Sequence, residues 1–307
     1  MSKVKVERSV KINAPAEVVF PALSDFHQWI KWSPWLLMEP EAKVKIADDN
    51  KSYEWDGDRL GSGNMRMRTQ RENEYIDFDL NFIKPWKSSN TTSFQLSPTD
   101  GGTEVTWIME SSLPFYLFWM KKMMKAFVGS DYERGLGMLK SYVEAGEIHS
   151  RLEFSDPVKF ESCQWIGIQT ECTRESIAQH MEEDYGRIHA FAEINKDLVA
   201  GSPFTIYSKW DLVNNRIKYI ASIPVSKTPE DIPAGFETGR IPEVMVQKIR
   251  HIGAYKYVGN AWATGQAMMR NKEFKHHKKL YPFEVYLNDP KTTPEKDLIA
   301  EIHFPIK

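Results

Sequence analysis

An internal duplication of about eighty residues constrains the fold of this chain more than any other feature. The segment PFTIY at residues 203–207 returns as PFEVY at residues 282–286. Each copy is followed by a polar turn and a second apolar stretch, which is RIKYIASIPV at 216–225 and DLIAEIHFPI at 297–306. A repeat of this length is typical of a supersecondary unit that buries its apolar face against a neighbouring copy.

Glu284 marks the place where the two copies differ. Residues alternate in PFEVY as in a strand, so Phe283 and Val285 point to one face, while Glu284 and Tyr286 point to the other. Thr205 takes the place of Glu284 in the first copy. If the copies pair about a pseudo-twofold axis, a single carboxylate stands among tyrosines with no cation in the motif. It either lies on a solvated face or is kept for a ligand, because burial without a partner costs on the order of several kcal/mol.

Four motifs in the second half of the chain occur in an order and at a spacing typical of one family. They are HIGAY at 251–255, Trp262, PFEVYLNDP at 282–290 and EIHFPI at 301–306. Residues 155–307 therefore resemble the GyrI-like, or AraC-type, effector-binding domains. The resemblance implies two β-α-β-β repeats around a cleft that holds small molecules. We place the repeats at residues 155–226 and 235–307.

The resemblance also implies roles for individual residues. In multidrug-binding members of the family, a Glu of this motif meets cationic aromatic ligands, and by position that residue is Glu284. We expect Glu284 and Thr205 at equivalent depths on opposite sides of the cleft. One branch of the family is associated with hydrolysis of strained, cyclopropane-type compounds, which makes Glu284 the candidate catalytic residue as well. The predicted ligand-binding residues are Glu284, Tyr286, Tyr255, Trp262, Tyr207 and Thr205.

The first half of the chain has the pattern of an antiparallel sheet followed by an amphipathic helix. In EYIDFDLNF at residues 74–82, apolar and polar residues alternate, which predicts a half-buried strand. Tyr132, Leu136 and Leu139 share one stripe at helical spacing, which predicts a helix over about residues 130–145. The whole chain is therefore predicted to be α+β, and its first domain is predicted to be a curved antiparallel sheet that grips a helix.

Five motifs of the first half resemble the SRPBCC, or START-like, superfamily, which includes polyketide cyclase-like proteins. They are INAPAEVVFPALSD, WSPW, YEWDGDRLGSG, GGTEVTW and DYERGLGMLKSYVE. The resemblance implies a helix-grip domain, predicted at residues 1–150, with one cavity for lipids, hormones or polyketides. The candidate cavity residues are Trp32, Trp35, Trp107, Tyr132 and Leu136. For the cluster Trp29, Trp32 and Trp35, we favour the interpretation that the tryptophans pack the core over one in which they shape the mouth of the cavity. Residues 146–156 are predicted to be a short polar connection to the second domain.

The run LPFYLFWMKKMMKAF at residues 113–127 is apolar apart from three lysines. We interpret it as a loop and helix that form a lid over the cavity. The alternative is that it touches a membrane surface, but a membrane is not the partner that we expect.

Composition and charge narrow the classes of function. The net charge of −2 argues against a nucleic-acid partner, which needs a concentrated basic face. The N-terminus lacks the apolar core of a signal peptide, and no apolar run approaches the roughly twenty residues of a transmembrane helix. The histidines show no spacing for a metal, no cofactor is expected, and Cys163 and Cys172 form no disulfide framework. We therefore expect a cytoplasmic protein.

Three functions remain open at the level of the sequence. The first is a small-molecule-binding protein with two pockets, the second of which takes a flat or cationic ligand. The second is an enzyme, either a hydrolase that uses Glu284 or a cyclase-like activity of the first domain, although we favour binding over catalysis. The third is a regulatory protein that presents its ligand state to a protein partner.

Overall fold

The computed structural model describes residues 2–307, which divide into two compact units. The first unit ends at Ile148, and the second spans His149–Lys307. Each unit has its own antiparallel sheet and its own helices. Within residues 2–307, no helix is long and apolar enough to cross a membrane.

The N-terminal unit is a sheet wrapped around one long helix. Its strands are β1 (Ser2–Ile12), β2 (Lys43–Ile46), β3 (Ser52–Gly57), β4 (Gly61–Arg71), β5 (Tyr75–Lys84), β6 (Ser88–Thr99) and β7 (Gly102–Leu113). They follow the order β1-β7-β6-β5-β4-β3-β2. Its helices are α1 (Ala16–Ser24), α2 (Phe26–Trp32) and α3 (Lys121–Ala145), with short 3-10 helices at Leu36–Met38 and Phe115–Met120.

The long helix α3 begins earlier than its apolar stripe predicts. It starts at Lys121 and ends before Gly146, whose φ of 78° is the left-handed conformation that commonly terminates a helix. Tyr132, Leu136 and Leu139 are buried on one side of it, as their spacing predicts. The curved antiparallel sheet and this helix confirm the predicted helix-grip architecture.

The segment interpreted as a lid leaves four of its aromatic side chains exposed. It forms the 3-10 helix Phe115–Met120 and the first turns of α3. Phe115, Tyr116, Phe118 and Trp119 are all exposed. A 3-10 helix directs side chains to three sides, and only one of these can face the domain. The interpretation of this segment as a lid stays a prediction.

The C-terminal unit is built on a second sheet with two helices. Its strands are β8 (Ser150–Phe154), β9 (Val158–Phe160), β10 (Cys163–Cys172), β11 (Phe204–Asp211), β12 (Arg216–Val225), β13 (Glu237–Ile241), β14 (Val244–Gly253), β15 (Phe283–Tyr286) and β16 (Ile299–Pro305). Their order is β13-β10-β12-β11-β15-β16-β14-β8, and β9 pairs with β14. Its helices are α4 (Ile177–Ile194) and α5 (Gly259–Arg270), with 3-10 helices at Lys196–Leu198, Tyr255–Tyr257 and Glu295–Asp297.

The duplication seen in the sequence is a duplication of the fold. The first copy runs β10-α4-β11-β12 and the second runs β14-α5-β15-β16, which confirms the two β-α-β-β repeats. The copies join where β11 pairs with β15. The amide of Tyr207 donates to the carbonyl of Pro282 at 3.1 Å, and the amide of Tyr286 donates to that of Pro203 at 3.0 Å. These reciprocal bonds between equivalent residues locate the pseudo-twofold axis at the β11–β15 junction.

Thr205 and Glu284 lie directly opposite each other in that junction. The axis passes between them, so the two equivalent positions are cross-strand neighbours. The sequence placed them on opposite sides of a cleft, and this was wrong because the innermost strands of the two repeats pair directly. Their side chains share the face of the sheet that carries Trp262 of α5.

The connection between the units is shorter than the sequence indicates. Residues 150–154 of the predicted connection form strand β8, which pairs with β14 over five residue pairs. Ser150 Oγ also lies 3.0 Å from Nε2 of the buried His251. Polar residues at 146–156 hid this strand, because an edge strand can be polar on its exposed side.

Candidate ligand-binding site

Glu284 lies in the middle of the four-residue strand β15 and is 2% exposed. The adjoining strands β11 and β16 hold the backbone on both sides, with Thr205 and Ile302 opposite Glu284. Trp262 reaches down from α5, and its Nε1 donates a hydrogen bond to Glu284 Oε2 at 2.7 Å. The carboxylate is thereby held on the face of the sheet where the two repeats meet.

Burial governs the ionisation of Glu284. Loss of water raises its pKa, while hydrogen bonds from Trp262 and Tyr286 lower it, and the result is a pKa of about 7. Among residues 2–307, the partners of the carboxylate are neutral donors, and none is a lysine, arginine or histidine. The site therefore holds a carboxylate that lacks a counter-charge within the described protein.

Glu301, on the neighbouring strand β16, is a buried carboxylate that has basic partners. Its Oε1 accepts from Arg250 Nη2 at 2.7 Å and from Lys248 Nζ at 3.1 Å. Burial would raise its pKa, but hydrogen bonds from His303, Arg250 and Lys248 bring the pKa down to about 2. Two buried glutamates on neighbouring strands thus differ in whether the fold supplies a cation.

A chain of hydroxyl groups leads to Glu284 from the first repeat. Tyr185 Oη lies 2.7 Å from Thr205 Oγ1, which lies 3.3 Å from Tyr286 Oη. Tyr286 in turn is a donor to the Glu284 carboxylate. Each hydroxyl carries one proton, so an ionised Glu284 orients the whole chain, with Tyr185 donating to Thr205 and Thr205 donating to Tyr286. The chain adds donor strength at the carboxylate without adding positive charge.

Aromatic rings surround this polar core. The rings of Tyr207 and Trp262 lie 5.0 Å apart at 80°, and those of Tyr185 and Tyr286 lie 5.6 Å apart at 89°. Tyr255 stands 5.4 Å from Tyr286 and donates its hydroxyl to the carbonyl of Asn288 at 2.9 Å. Burial raises the pKa of these tyrosines, so they act as neutral donors.

The structure brings all six predicted binding residues into one cluster. Trp262, Tyr255 and Tyr286 keep partial exposure, while Thr205, Tyr207 and Glu284 are buried beneath them. The site is therefore an aromatic surface with a carboxylate under it. Their role in binding stays a prediction.

Tyr185 belongs to this cluster and was missed in the sequence. It lies on α4, in line with the buried Ile188 and the half-buried Met181. That spacing marks the inward stripe of a helix, and a tyrosine on the inward stripe of a duplicated unit was the available signal. Its contact with Thr205 depends on how α4 crosses the sheet, which the stripe does not specify.

The predicted cavity residues of the N-terminal unit pack together in its interior, and two of them, Tyr132 and Leu136, lie on α3. Trp107 stacks on Tyr132 at 3.9 Å, and Trp107 Nε1 donates to Thr92 Oγ1 at 2.8 Å. Trp32 and Leu136 are fully buried, and the half-buried Trp35 lies 5.8 Å from Trp107. The five residues share one interior, where each ring packs on another. That they bind a ligand there stays a prediction.

Among the described residues 2–307, no three His, Cys, Asp or Glu side chains are grouped so that they could hold a metal ion. Cys163 and Cys172 are free thiols, and burial raises the pKa of both.

Comparison with known families assigns each unit. Residues 3–144 match the model of the polyketide cyclase / dehydrase and lipid transport family. Residues 158–307 match the model of the GyrI-like small molecule binding domain. The protein is thus a fusion of an SRPBCC-like domain and a GyrI-like small-molecule-binding domain, and both resemblances drawn from the sequence are confirmed.

Solved structures resemble parts of this chain at low identity. MLL2253 from Mesorhizobium loti is 17% identical over 48% of this chain and 99% of its own, with a TM-score of 0.36. SAV2435 bound to tetraphenylphosphonium is 16% identical over 50% and 94%, with a TM-score of 0.39. EcmrR in a complex with DNA is 13% identical over 63% and 72%, with a TM-score of 0.43. A comparison with curated proteins finds no match.

Proposed function

We propose that the GyrI-like domain binds flat aromatic cations and that Glu284 is their counter-charge. The observation that carries this proposal is the buried carboxylate of Glu284, which has Trp262 and Tyr286 as donors and no basic partner among residues 2–307. A buried charge is normally paired, and Glu301 on the next strand is paired by Arg250 and Lys248. A cationic ligand would supply at Glu284 the positive charge that Arg250 and Lys248 supply at Glu301.

The aromatic rings supply the second part of the recognition. Trp262, Tyr255 and Tyr286 are partly exposed above the carboxylate. A cation over such a ring gains about 0.5–2 kcal/mol, with tryptophan the strongest. A unit charge about 4 Å from the carboxylate adds roughly 4 kcal/mol of gross attraction at an effective dielectric constant near 20, before desolvation of the ligand. Charge and stacking therefore select together for a cation with a delocalised, flat body.

A matched pair of ligands tests the role of the charge. 1-Methylquinolinium and 1-methylnaphthalene share size and shape and differ in charge. We expect Glu284→Gln to weaken binding of the cation by about 1–3 kcal/mol, because the ion pair is lost and part of its gross attraction is offset by desolvation, and to leave the neutral compound almost unchanged. Calorimetric titration measures both.

The surface carboxylate of Glu295 provides the control. It pairs with Lys256 at 3.3 Å on an exposed 3-10 helix, and Glu295→Gln removes the same formal charge without touching the cluster. Both ligands should bind this variant like the unmodified protein. Equal losses for the two ligands in Glu284→Gln would show that Glu284 is structural and that the proposal is wrong.

A hydrolase is the second candidate, and the pKa of Glu284 favours it. A carboxyl group with a pKa of about 7 is suited to transfer protons at neutral pH. If the domain hydrolyses strained compounds, Glu284→Gln should abolish turnover of a cyclopropane-type substrate while its binding persists. A variant that loses affinity and keeps the turnover number would exclude this candidate.

The remaining expectations concern partners and location. A regulatory role requires a protein partner that distinguishes the ligand-bound form, and pull-down with and without 1-methylquinolinium tests it. The expectations that the protein binds no nucleic acid and is cytoplasmic stay predictions.

A further inference from the structure

An aromatic segment of the N-terminal domain stands in solvent. It follows β7 and consists of the 3-10 helix Phe115–Met120. Phe115, Tyr116, Phe118 and Trp119 are between 62% and 77% exposed. Isolated exposed apolar residues are common, but four large aromatic side chains within five positions are not.

A fifth exposed aromatic side chain lies on another segment at the same end of the sheet. Trp86, 74% exposed, occupies the turn between β5 and β6, and Ile83, three residues earlier in β5, is exposed as well. Thr91 of β6 pairs with Glu110 of β7, and the same register carried three residues further sets the β5–β6 turn level with the end of β7. The 3-10 helix and this turn therefore form one surface, which we call the aromatic end.

Lysines border the aromatic end. Residues 111–130 contain Lys121, Lys122 and Lys125 and no Asp or Glu, and Lys87 follows Trp86 directly. Lys84 and Lys122 are excluded from this count of cations, because Lys84 pairs with Asp56 at 3.5 Å and Lys122 has a partner within the protein. The local excess of positive charge contrasts with the net charge of −2 of the whole chain.

The position of Lys121 is not explained by the stability of α3. It occupies the first turn of that helix, which has no acidic residue. The helix dipole favours anions there and disfavours cations by about 0.3–1 kcal/mol. A basic residue at a position that is unfavourable for the helix indicates an external anionic partner.

We propose that the aromatic end docks on an anionic phospholipid surface. Tryptophan and tyrosine favour the headgroup region, phenylalanine enters the acyl boundary, and lysines attract anionic headgroups, each by about 1 kcal/mol near the surface. The surface is made of exposed side chains on a 3-10 helix and on a turn. Exposed aromatic rings bordered by lysines suit insertion into a deformable, anionic interface. Contact is peripheral, and it is the alternative that the sequence left open for residues 113–127.

Vesicle sedimentation with the full-length protein tests this proposal. We expect binding to vesicles that mix phosphatidylcholine with phosphatidylglycerol, at least tenfold weaker binding to phosphatidylcholine alone, and loss of binding at about 0.5 M salt, where charges are screened within a few ångströms. Phe118→Ser combined with Trp119→Ser should reduce the partition coefficient at least tenfold, because two interfacial aromatic anchors are lost. Lys121→Gln combined with Lys125→Gln should reduce it on anionic vesicles and not on neutral ones.

Ile194→Ser is the matched control. Ile194 is the most exposed of the large apolar side chains outside the aromatic end, and it lies at the end of α4 in the other domain. This variant should sediment like the unmodified protein. The substituted aromatic residues are exposed, so circular dichroism and melting should be unchanged.

Three results would overturn the proposal. They are equal binding to neutral and anionic vesicles, unchanged binding of the Phe118/Trp119 variant, and no vesicle binding by the unmodified protein. If vesicles are not bound and ultracentrifugation finds a dimer that the Phe118/Trp119 variant loses, the aromatic end is an interface between copies of the chain. None of these outcomes bears on ligand binding at Glu284.

Discussion

At neutral pH, the buried carboxyl group of Glu284 lowers the stability of the ligand-free protein. Its carboxyl group has a pKa of about 7 in the folded state because it is buried, against 4.5 when it is free. The folded state therefore holds the proton more tightly than the unfolded state does. The stability from this group is fully present below pH 4.5 and is lost as the pH rises through 7.

Glu284→Gln should remove that loss of stability. The amide cannot ionise, and its oxygen can still accept from Trp262 Nε1. We expect the variant to exceed the unmodified protein in free energy of unfolding by up to about 3 kcal/mol above neutral pH and to match it in acid. Urea denaturation over a pH series measures the difference. A constant difference at all pH values would mean that the carboxyl group does not titrate in this range.

We expect Thr205 to contribute more to the stability of the fold than to the binding of a cation at Glu284. Its hydroxyl lies between those of Tyr185 and Tyr286 and is completely buried. Thr205→Val keeps the shape but leaves two tyrosine hydroxyls without this partner, so we expect a loss of about 1–2 kcal/mol in stability. Affinity for 1-methylquinolinium should fall less than in Glu284→Gln, since Trp262 and Tyr286 remain. A larger fall would show that the hydroxyl chain, and not the direct donors, stabilises the carboxylate.

At the scale of elements, the distance between α5 and β16 fixes the position of Trp262. A Cβ on Gly265 would come within 2.2 Å of the Phe304 ring, which is also 5.4 Å from the Trp262 ring. Glycine therefore lets the helix approach the sheet so closely that Trp262, one turn earlier, reaches Glu284. The position of α5 therefore determines whether Trp262 can donate to Glu284, and the lack of a side chain at Gly265 determines how close α5 lies to the sheet.

Gly265→Ala should push α5 outward. We expect a loss of about 1–3 kcal/mol in stability from overpacking and weaker binding of both ligands of the matched pair, because the Trp262 ring moves. Gly186→Ala in α4 is the matched control: its Cβ would meet nothing within 4 Å, so this variant should gain about 0.5–1 kcal/mol from helix propensity. Denaturation and titration of both variants measure these effects. Unchanged binding in Gly265→Ala would show that the position of Trp262 does not depend on this contact.

At the scale of the whole molecule, the fold predicts where the chain can be divided. The compact units meet between Ile148 and His149, and β8 belongs to the second sheet. We expect fragment 149–307 to fold alone. Fragment 155–307 should be less stable by at least about 2 kcal/mol, because it lacks β8 and leaves the buried His251 without Ser150. Circular dichroism and urea denaturation compare them. Equal stability would mean that β8 contributes nothing to the C-terminal domain.

Local patterns were sufficient for the architecture of both domains. The duplication predicted two β-α-β-β units, and alternation placed Glu284 and Tyr286 on one face of a strand, which β15 confirms. The stripe through Tyr132 predicted the helix of the first domain. Such patterns succeed because side-chain direction follows from backbone period alone. They missed β8, whose pairing with β14 joins residues about a hundred positions apart.

Sequence patterns were enough to predict the pair of folds and one carboxylate among aromatic residues. The packing of strands and helices determines that Glu284 has no cationic partner among residues 2–307, while Glu301 has Arg250 and Lys248. Both glutamates stand in alternating strands, so their local patterns are alike. Their partners come from neighbouring strands and helices, and the Coulomb and desolvation energies that separate the two pKa values depend on distance in space, not along the chain.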